Sequence, residues 1–219
     1  MIIAIDGPAG SGKSTVARNL AEELGFMYLD TGAMYRAITL KALENKSQLD
    51  SEDAIVKMCE ETKLELFPEA KKPIKVYLDG RDVTLDIRTV RITQHVSDIA
   101  KIKGVRKHML KLQRSIGKAN DSVIEGRDIG TVVFPDADKK FFLDADFSER
   151  AERRCKELKQ AGKCVTLKEV QKDLSNRDCI DSTRDHAPLK KAEDAVCIDT
   201  THLTIEQVVS ALLTEIKRR

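Results

Sequence analysis

Several features that mark other classes of protein are missing from this 219-residue sequence. It contains no tryptophan, and its aromatic residues are limited to three tyrosines and six phenylalanines. No segment approaches the roughly 20 consecutive apolar residues that a membrane-spanning helix requires. The 38 basic and 36 acidic residues leave a net charge of +2, whereas nucleic-acid-binding domains more often carry a strongly basic face. We therefore expect neither a membrane nor a nucleic acid as a partner.

The cysteines are few and scattered. There are five of them, and no two form a C-x-x-C pair. Neither a disulfide framework nor a zinc site is indicated, and the four histidines form no metal-ligand pattern. Free thiols fit a reducing compartment, so we expect a cytoplasmic protein. The first six residues resemble a buried strand rather than a signal peptide.

Predicted strands alternate with predicted helices along most of the chain. Residues 2–5 form an apolar run, and apolar residues then recur at helical spacing until Gly25. Further strands are expected at 26–29, 122–124, 140–143 and 195–198. Such alternation is typical of a mostly parallel sheet covered by helices on both faces.

Residues 64–84 depart from this alternation. Two strand-like runs flank a turn that contains Pro68 and Pro73. The dipeptide Asp79-Gly80 is then a strong hairpin signal. We predict a small antiparallel insertion here.

Residues 7–14 match the complete phosphate-loop pattern G-x-x-x-x-G-K-[ST]. The glycines allow successive backbone amides to converge on phosphate oxygens at the start of the following helix. Lys13 is expected to reach the β- and γ-phosphates of ATP, and the Ser14 hydroxyl to bind Mg²⁺. A chance glycine turn is the alternative, but the motif has the required strand before it and helix after it. The predicted nucleotide-binding residues are Gly7, Pro8, Ala9, Gly10, Ser11, Gly12, Lys13, Ser14 and Thr15.

Two more polar segments follow predicted strands. One offers Tyr35 and Arg36, and the other offers Arg127 and Asp128. Ligands of parallel sheets lie at the carboxyl ends of the strands, so the loops at Gly7–Gly12 and Gly126–Gly130 should face one cleft. Arg127 can donate two hydrogen bonds to a phosphate, and Asp128 can accept one from an amino group. The alternatives are a helix start that leaves Arg36 in solvent and an Arg–Asp pair in a surface turn. These residues alone leave both open.

Three arginines, Arg150, Arg153 and Arg154, lie on one predicted helix. On a closing flap they could place positive charge over a phosphoryl group. Glutamates are interleaved with them, and ion pairs at i,i+4 would explain the helix equally well.

The charged residues that follow are weakly informative on their own. A capping box that begins at Thr166 predicts a helix ending near Arg177. Asp181 and Arg184 are then expected in the turn beyond that helix.

Over its whole length the chain resembles the bacterial cytidylate kinases. Six segments carry the resemblance: Ile-Asp-Gly-Pro-Ala-Gly-Ser-Gly-Lys-Ser-Thr at 5–15, Asp-Thr-Gly-Ala-Met-Tyr-Arg at 30–36, Asp-Ile-Arg-Thr at 86–89, Gly-Arg-Asp-Ile-Gly-Thr-Val-Val-Phe-Pro-Asp-Ala at 126–137, Glu-Arg-Ala-Glu-Arg-Arg at 149–154, and the charged stretch at 177–189. A phosphate loop is shared by many families, whereas the second and fourth segments together are far more specific. The antiparallel insertion resembles the extra element that these enzymes carry in their monophosphate-binding region, here at about 64–100.

The resemblance and the alternation agree on a three-layer α/β/α P-loop kinase in one domain, 1–219. It would have a mostly parallel central sheet, the small antiparallel insertion and a helical lid at about 150–165. The resemblance implies that Lys13, Arg153 and Arg154 act in catalysis. It further implies a phosphate site, a cytosine site and a pentose site for the acceptor. Their residues would be Thr31, Tyr35, Arg36, Arg127 and Arg177 for the phosphate, Ser97, Arg106 and Asp128 for cytosine, and Asp181 with Arg177 or Arg184 for the pentose.

The implied reaction is transfer of the γ-phosphoryl group of ATP, with Mg²⁺, to CMP or dCMP in pyrimidine nucleotide metabolism. Another small-molecule kinase of the shikimate or gluconate type could use the same loop and lid. A GTP-dependent switch protein is disfavoured, because the guanine pattern N-K-x-D lacks its aspartate in Asn45-Lys46-Ser47-Gln48. We expect a monomer whose partners are its small-molecule substrates.

Overall fold

The computed structural model describes residues 1–45, 51–67 and 74–218. In chain order the strands are β1 (Ile2–Asp6), β2 (Met27–Asp30), β3 (Leu64–Phe67), β4 (Lys75–Leu78), β5 (Arg81–Asp82), β6 (Ser122–Gly126), β7 (Lys139–Asp144) and β8 (Val196–Asp199). The helices are α1 (Lys13–Leu24), α2 (Thr31–Glu44), α3 (Glu52–Glu61), α4 (Val90–Ala100), α5 (Lys103–Gly117), α6 (Phe147–Gln160), α7 (Leu167–Thr183) and α8 (Ile205–Lys217). A 3₁₀ turn (Asp86–Arg88) and a single π-type turn (Ile129–Val133) lie between them.

The strands of the described ranges form two sheets. Five strands make a parallel sheet in the order β2-β6-β1-β7-β8, with β1 at its centre. Three short strands, β3-β4-β5, make a separate antiparallel sheet. The predicted fold class, a parallel central sheet with a small antiparallel insertion, is confirmed.

Alternate residues of β1 contribute to two hydrophobic cores, one on each face of the central sheet. Ile3 and Ile5 belong to a core with α1 and α8, which also contains the buried Phe141. Ala4 belongs to a larger core with α2, α3, α4 and α5, which also contains Phe134. Side chains alternate along a strand, and here both sides are covered, so β1 is apolar from Ile2 to Ile5. Burying an aromatic side chain of this size contributes roughly 1.5–3 kcal/mol.

The insertion turns where its sequence predicts a turn. Asp79 and Gly80 have φ values of 50° and 83°, the left-handed conformation of a two-residue hairpin turn for which Asp-Gly is well suited. The other predicted turn, with Pro68 and Pro73, lies outside the described residues.

Helix α7 is longer than predicted. It continues to Thr183 instead of ending near Arg177, so the expectation that Asp181 lies in a turn beyond the helix was wrong. Asp181 is ion-paired with Arg127, a residue of the loop after β6, and this tertiary contact supports the additional turn. The Thr183 hydroxyl also donates to a carbonyl oxygen one turn earlier. Arg184 caps the carboxyl end of α7.

Within the described ranges no helix has both the length and the apolar character needed to cross a bilayer.

Candidate active site

Strand β1 leads into the phosphate loop at the carboxyl edge of the central sheet. The loop passes through Gly10 and Gly12, whose φ values of 80° and 85° favour glycine. A Cβ atom on Gly10 would lie only 3.0 Å from the carbonyl oxygen of Arg150. Helix α1 begins directly afterwards at Lys13, so its free amides and the positive end of its dipole face the space before the loop. This arrangement suits a polyphosphate.

A cavity of about 490 Å³ lies in front of the loop. This volume is within the range of small-molecule sites. Many of the residues that the sequence singled out line its wall: Ala9, Gly10, Gly12, Lys13, Ser14, Thr15, Arg36, Ser97, Arg127, Arg154 and Arg177. Others lie outside the set that lines the wall: Gly7, Pro8, Ser11, Thr31, Tyr35, Arg106, Asp128, Arg153, Asp181 and Arg184.

Three arginines of different elements converge on this cavity. Arg36 is held by α4 and the turn before it, since it donates to Thr93 Oγ1 at 2.8 Å and to Ile87 O at 3.3 Å. It is therefore not left in solvent. Burial, and then the charge of Arg177, lower the pKa of Arg36 to about 9. Burial and the charge of Arg127 lower the pKa of Arg177 to about 10.

Arg177 also carries an unused donor. In the part of the chain that the structure describes, its buried Nε has no hydrogen-bond partner. A buried guanidinium that is both crowded by like charge and unsatisfied is poised to bind an anion.

Behind Arg127 lies an ionic network, built on two aspartates. Asp128 pairs with Arg106 through a short contact and with Arg184 at 3.5 Å. Asp181 pairs with Arg127 at 2.9 Å and lies 3.7 Å from Arg184. Burial raises the pKa of Asp181, but the charges of Arg127, Arg177 and Arg184 outweigh burial and hold it below the ordinary value. Arg127 and Asp128 thus each pair with partners from other elements, and the hypothesis of an isolated Arg–Asp pair in a surface turn was wrong.

Ser97 connects this network to the cavity. It lines the cavity wall, and its Oγ lies 3.4 Å from Asp181 Oδ1. The ring of Tyr35 lies 5.6 Å from the guanidinium carbon of Arg106, a cation–π contact. Burial raises the pKa of Tyr35 to about 12.

The Lys13 ammonium group folds back onto its own loop. Its Nζ donates to Pro8 O at 2.7 Å. Burial, and then the charge of Arg127, lower the pKa of Lys13 to about 7. A polyphosphate in the cavity would favour the charged form.

Glu125 is a cavity residue that the sequence reasoning did not single out. It is the second-last residue of β6, next to β1, and accepts a hydrogen bond from Tyr28 Oη at 2.6 Å. Burial, and then the charge of Asp30, raise the pKa of Glu125, while the charge of Lys13 and the hydrogen bond from Tyr28 oppose this rise. The sequence does contain a local indication of Glu125, because the apolar run of β6 ends in this acidic residue. Strand β6 pairs with β1, the strand that leads into the phosphate loop. Thr31 Oγ1 donates to the Glu125 carbonyl at 2.7 Å.

Arg150, the first residue of the predicted lid, is a buried anchor. Its Nη1 donates to Ala9 O at 2.9 Å and to Asp178 Oδ2 at 2.6 Å. It thereby ties the phosphate loop to α7. We expect any mobile part of 150–165 to begin beyond this residue.

The other two arginines of α6 point in different directions. Arg153 Nη2 donates to the carbonyl oxygens of Thr200 and Thr201, at 2.6 and 2.9 Å. Arg154 lines the cavity and is paired with Glu157 at 3.0 Å. Of the two predicted catalytic arginines, the structure brings Arg154 to the cavity wall and holds Arg153 against the loop after β8.

The phosphate loop follows the central strand of a parallel sheet in a three-layer α/β/α fold, and it faces a cavity lined by several arginines. These features define a P-loop phosphotransferase. A sequence model of the family described as Cytidylate kinase matches residues 3–218. The chain is 47% identical over 216 residues to the cytidylate kinase of Clostridioides difficile (strain 630), covering 99% of this chain and 98% of that protein. It is 49% identical over 219 residues to the cytidylate kinase of Carboxydothermus hydrogenoformans, covering 100% and 98%. The chain belongs to the cytidylate kinase family.

The fold is also similar to that of a solved structure. An uncharacterized protein from Eubacterium ventriosum superposes with a TM-score of 0.53 at 14% identity, covering 100% of this chain and 99% of that one. A likeness at this level of identity shows the fold alone.

Proposed function

We propose that this protein transfers the γ-phosphoryl group of ATP to CMP or dCMP, producing ADP and CDP or dCDP. Membership of the cytidylate kinase family over almost the whole chain supports this reaction. The structural observation that carries it is that one cavity is lined both by the phosphate loop and by Arg36, Arg127 and Arg177. Two phosphate groups could thus be bound in the same space.

On the donor side, the loop amides and Lys13 would hold the ATP phosphates. Lys13 Nζ has to leave Pro8 O to reach the β- and γ-oxygens. Transfer proceeds in line and without a covalent enzyme intermediate, since positioning and charge stabilisation carry such reactions. Arg154, which reaches the same cavity, would supply further positive charge.

On the acceptor side, Arg36, Arg127 and Arg177 would hold the monophosphate. The crowding of their charges is costly while the cavity is empty, and a phosphate dianion would relieve it. That Thr31 and Tyr35 contribute to binding this phosphate stays a prediction, since Thr31 contacts the Glu125 carbonyl and Tyr35 contacts Arg106.

The ionic network would read the nucleoside. Asp128, with Arg106 and Ser97, would face the edge of cytosine, and Asp181 with Arg184 the pentose hydroxyls. An ionised carboxylate has about four lone-pair sites, so pairing with two arginines leaves Asp128 acceptor capacity for an amino group.

The residues beside Lys13 fit Mg²⁺. Ser14 and Glu125 both line the cavity, and their hydroxyl and carboxylate oxygens are ligands that Mg²⁺ prefers together with substrate phosphates. When bound, the ion neutralises charge on the β- and γ-phosphates. Tyr28 holds the carboxylate from the far side.

Four expectations remain predictions. The insertion at about 64–100 would bind the monophosphate, and the lid at about 150–165 would close over the phosphates. The protein would act as a monomer. It would act in the cytoplasm.

An ADP-release assay with ATP and a panel of acceptors tests the proposed function. The panel contains CMP, dCMP, UMP, AMP, shikimate and gluconate, and Lys13→Ala provides the matched background. We expect CMP or dCMP to give the highest kcat/KM. ADP release with CMP no faster than in Lys13→Ala, or a faster reaction with shikimate or gluconate, would refute the proposal.

A further inference from the structure

Asp6 is a buried carboxylate next to the phosphate loop that the proposed reaction leaves without a task. It is the last residue of β1 and immediately precedes Gly7. Only 4% of its surface is exposed, and burial raises its pKa to about 6. An ionised group in such surroundings is costly unless it is well hydrogen-bonded.

Both carboxylate oxygens of Asp6 bind the amides of a distant turn. Oδ1 accepts from Ile129 N and Oδ2 from Gly130 N, each at 2.8 Å. These are the first two residues of the π-type turn that follows Arg127 and Asp128. The first amides of a helical turn have no acceptor within the turn, and a side chain normally caps them.

The residue in the capping position of this turn is Asp128. Aspartate in that position ordinarily accepts from the amides two or three residues later. Here the Asp128 carboxylate is engaged elsewhere, by Arg106 and Arg184. Asp6, which lies on β1, therefore caps this turn in place of Asp128.

We propose that Asp6 is a positioning residue for nucleobase selection: by capping the 129–130 amides, it keeps the Asp128 carboxylate free for Arg106, Arg184 and the acceptor base. Without Asp6, Asp128 is the residue whose position in the turn would let its side chain accept from the Gly130 amide. Turning Asp128 back onto its own turn would take it from the arginines and from the base. Asp6 would thus affect which acceptor base is selected without contacting either substrate. This inference rests on the proposed function.

The test is a double-mutant cycle with Asp6→Asn and Asp128→Asn. Asparagine keeps the size of aspartate but presents an NH₂ group to one of the two amides, so the cap is broken. For wild type, both single variants and the double variant, kcat/KM is measured with CMP and with UMP, together with KM for ATP and the melting temperature. We expect Asp6→Asn to narrow the CMP-to-UMP preference about 5-fold or more, to leave KM for ATP within about 2-fold, and to add little in the Asp128→Asn background.

Several results would overturn the inference. One is that Asp6→Asn lowers kcat/KM by the same factor with CMP and with UMP. Another is that Asp6→Asn raises KM for ATP and leaves the CMP-to-UMP preference unchanged. The third is that the two substitutions reduce the CMP-to-UMP preference additively in the double variant. If Asp6→Asn does not fold, Asp6→Ser, which retains one acceptor, replaces it. Failure of both variants to fold would show that Asp6 holds the fold rather than Asp128. If the wild type does not phosphorylate CMP, the proposed function itself fails, whereas a CMP-selective wild type with an equally selective Asp6→Asn contradicts this inference alone.

Discussion

Replacing Asp128 with asparagine should weaken the discrimination between CMP and UMP. Cytosine has an amino donor at position 4, where uracil has a carbonyl acceptor. The Asp128 carboxylate can only accept, so it fits cytosine and repels the uracil carbonyl. Asparagine can present an oxygen to cytosine or an NH₂ group to uracil, and it has the same size as aspartate.

The surroundings of Asp128 set the size of the effect and the choice of variant. Asp128→Ala would leave the buried Arg106 without its carboxylate partner and Arg184 with Asp181 alone, at 3.7 Å. Removing one partner of a buried ion pair costs about 3–5 kcal/mol, which would obscure any effect on the base. Asp128→Asn retains one oxygen for Arg106. For cytosine it exchanges a charge-assisted hydrogen bond for a neutral one, and for uracil it removes a repulsion. Together these changes should alter the preference by about 1–3 kcal/mol, or roughly 5- to 150-fold in the ratio of kcat/KM values.

The assay is ADP release with CMP and with UMP, and Asp181→Asn is the matched control. Asp181 is a buried carboxylate that also faces Arg184, but it is proposed to bind the pentose, which CMP and UMP share. We expect Asp181→Asn to lower kcat/KM for both nucleotides by a similar factor. If Asp128→Asn does the same, Asp128 does not read the base, and the reasoning is refuted.

Three further predictions address the donor side, the lid and pH. Lys13→Ala should fold but lose at least about 100-fold in kcat, because one electrostatic contact to the transferring group is removed; near-normal turnover in a folded variant would contradict the assignment of the phosphate loop. Trypsin should cut the free protein after the exposed Lys163, between α6 and α7. A bisubstrate analogue should protect this site from cleavage, and ADP alone should protect it less. Equal cleavage rates in all three states would argue against a lid. Burial raises the pKa of Asp6 from 3.8 to about 6, although the hydrogen bonds from the Gly130 and Ile129 amides oppose the rise. Between these two pH values the folded protein therefore binds a proton that the unfolded chain releases. The unfolding free energy of the wild type relative to Asp6→Asn should therefore fall by an amount on the order of 3 kcal/mol as pH rises from about 4 to about 7, measured by denaturant unfolding; a difference that is constant with pH would show that Asp6 is not so perturbed.

Features that depend on local chemistry could be predicted from the sequence. The phosphate loop needs its glycines and Lys13 at fixed spacing, and the 79–80 hairpin needs an aspartate and a glycine with positive φ. The alternation of strands and helices was sufficient for the parallel sheet. Glu125 could have been singled out in the same way, because an acidic residue ends the apolar run of β6.

Features that depend on contacts between distant elements could not be predicted. Arg150, Arg153 and Arg154 share one helix, and their spacing does not show that the first anchors the phosphate loop, the second contacts the loop after β8 and the third lines the cavity. The true end of α7 likewise depends on the ion pair between Asp181 and Arg127, which are far apart in the sequence.

Because β1 and β6 are adjacent, substrate specificity in this fold can change by substitutions in the loops that follow these strands. The phosphate loop leaves β1 at Asp6, and the loop with Arg127 leaves β6 at Gly126, which is the backbone partner of Asp6. Neighbouring strands are about 4.8 Å apart, a spacing that backbone hydrogen bonds set for any side chains. The sheet therefore fixes the distance between the residues at which the two loops begin. Substitutions in the two loops can change which acceptor the proposed site admits, while the spacing between the strand ends that carry these loops stays the same.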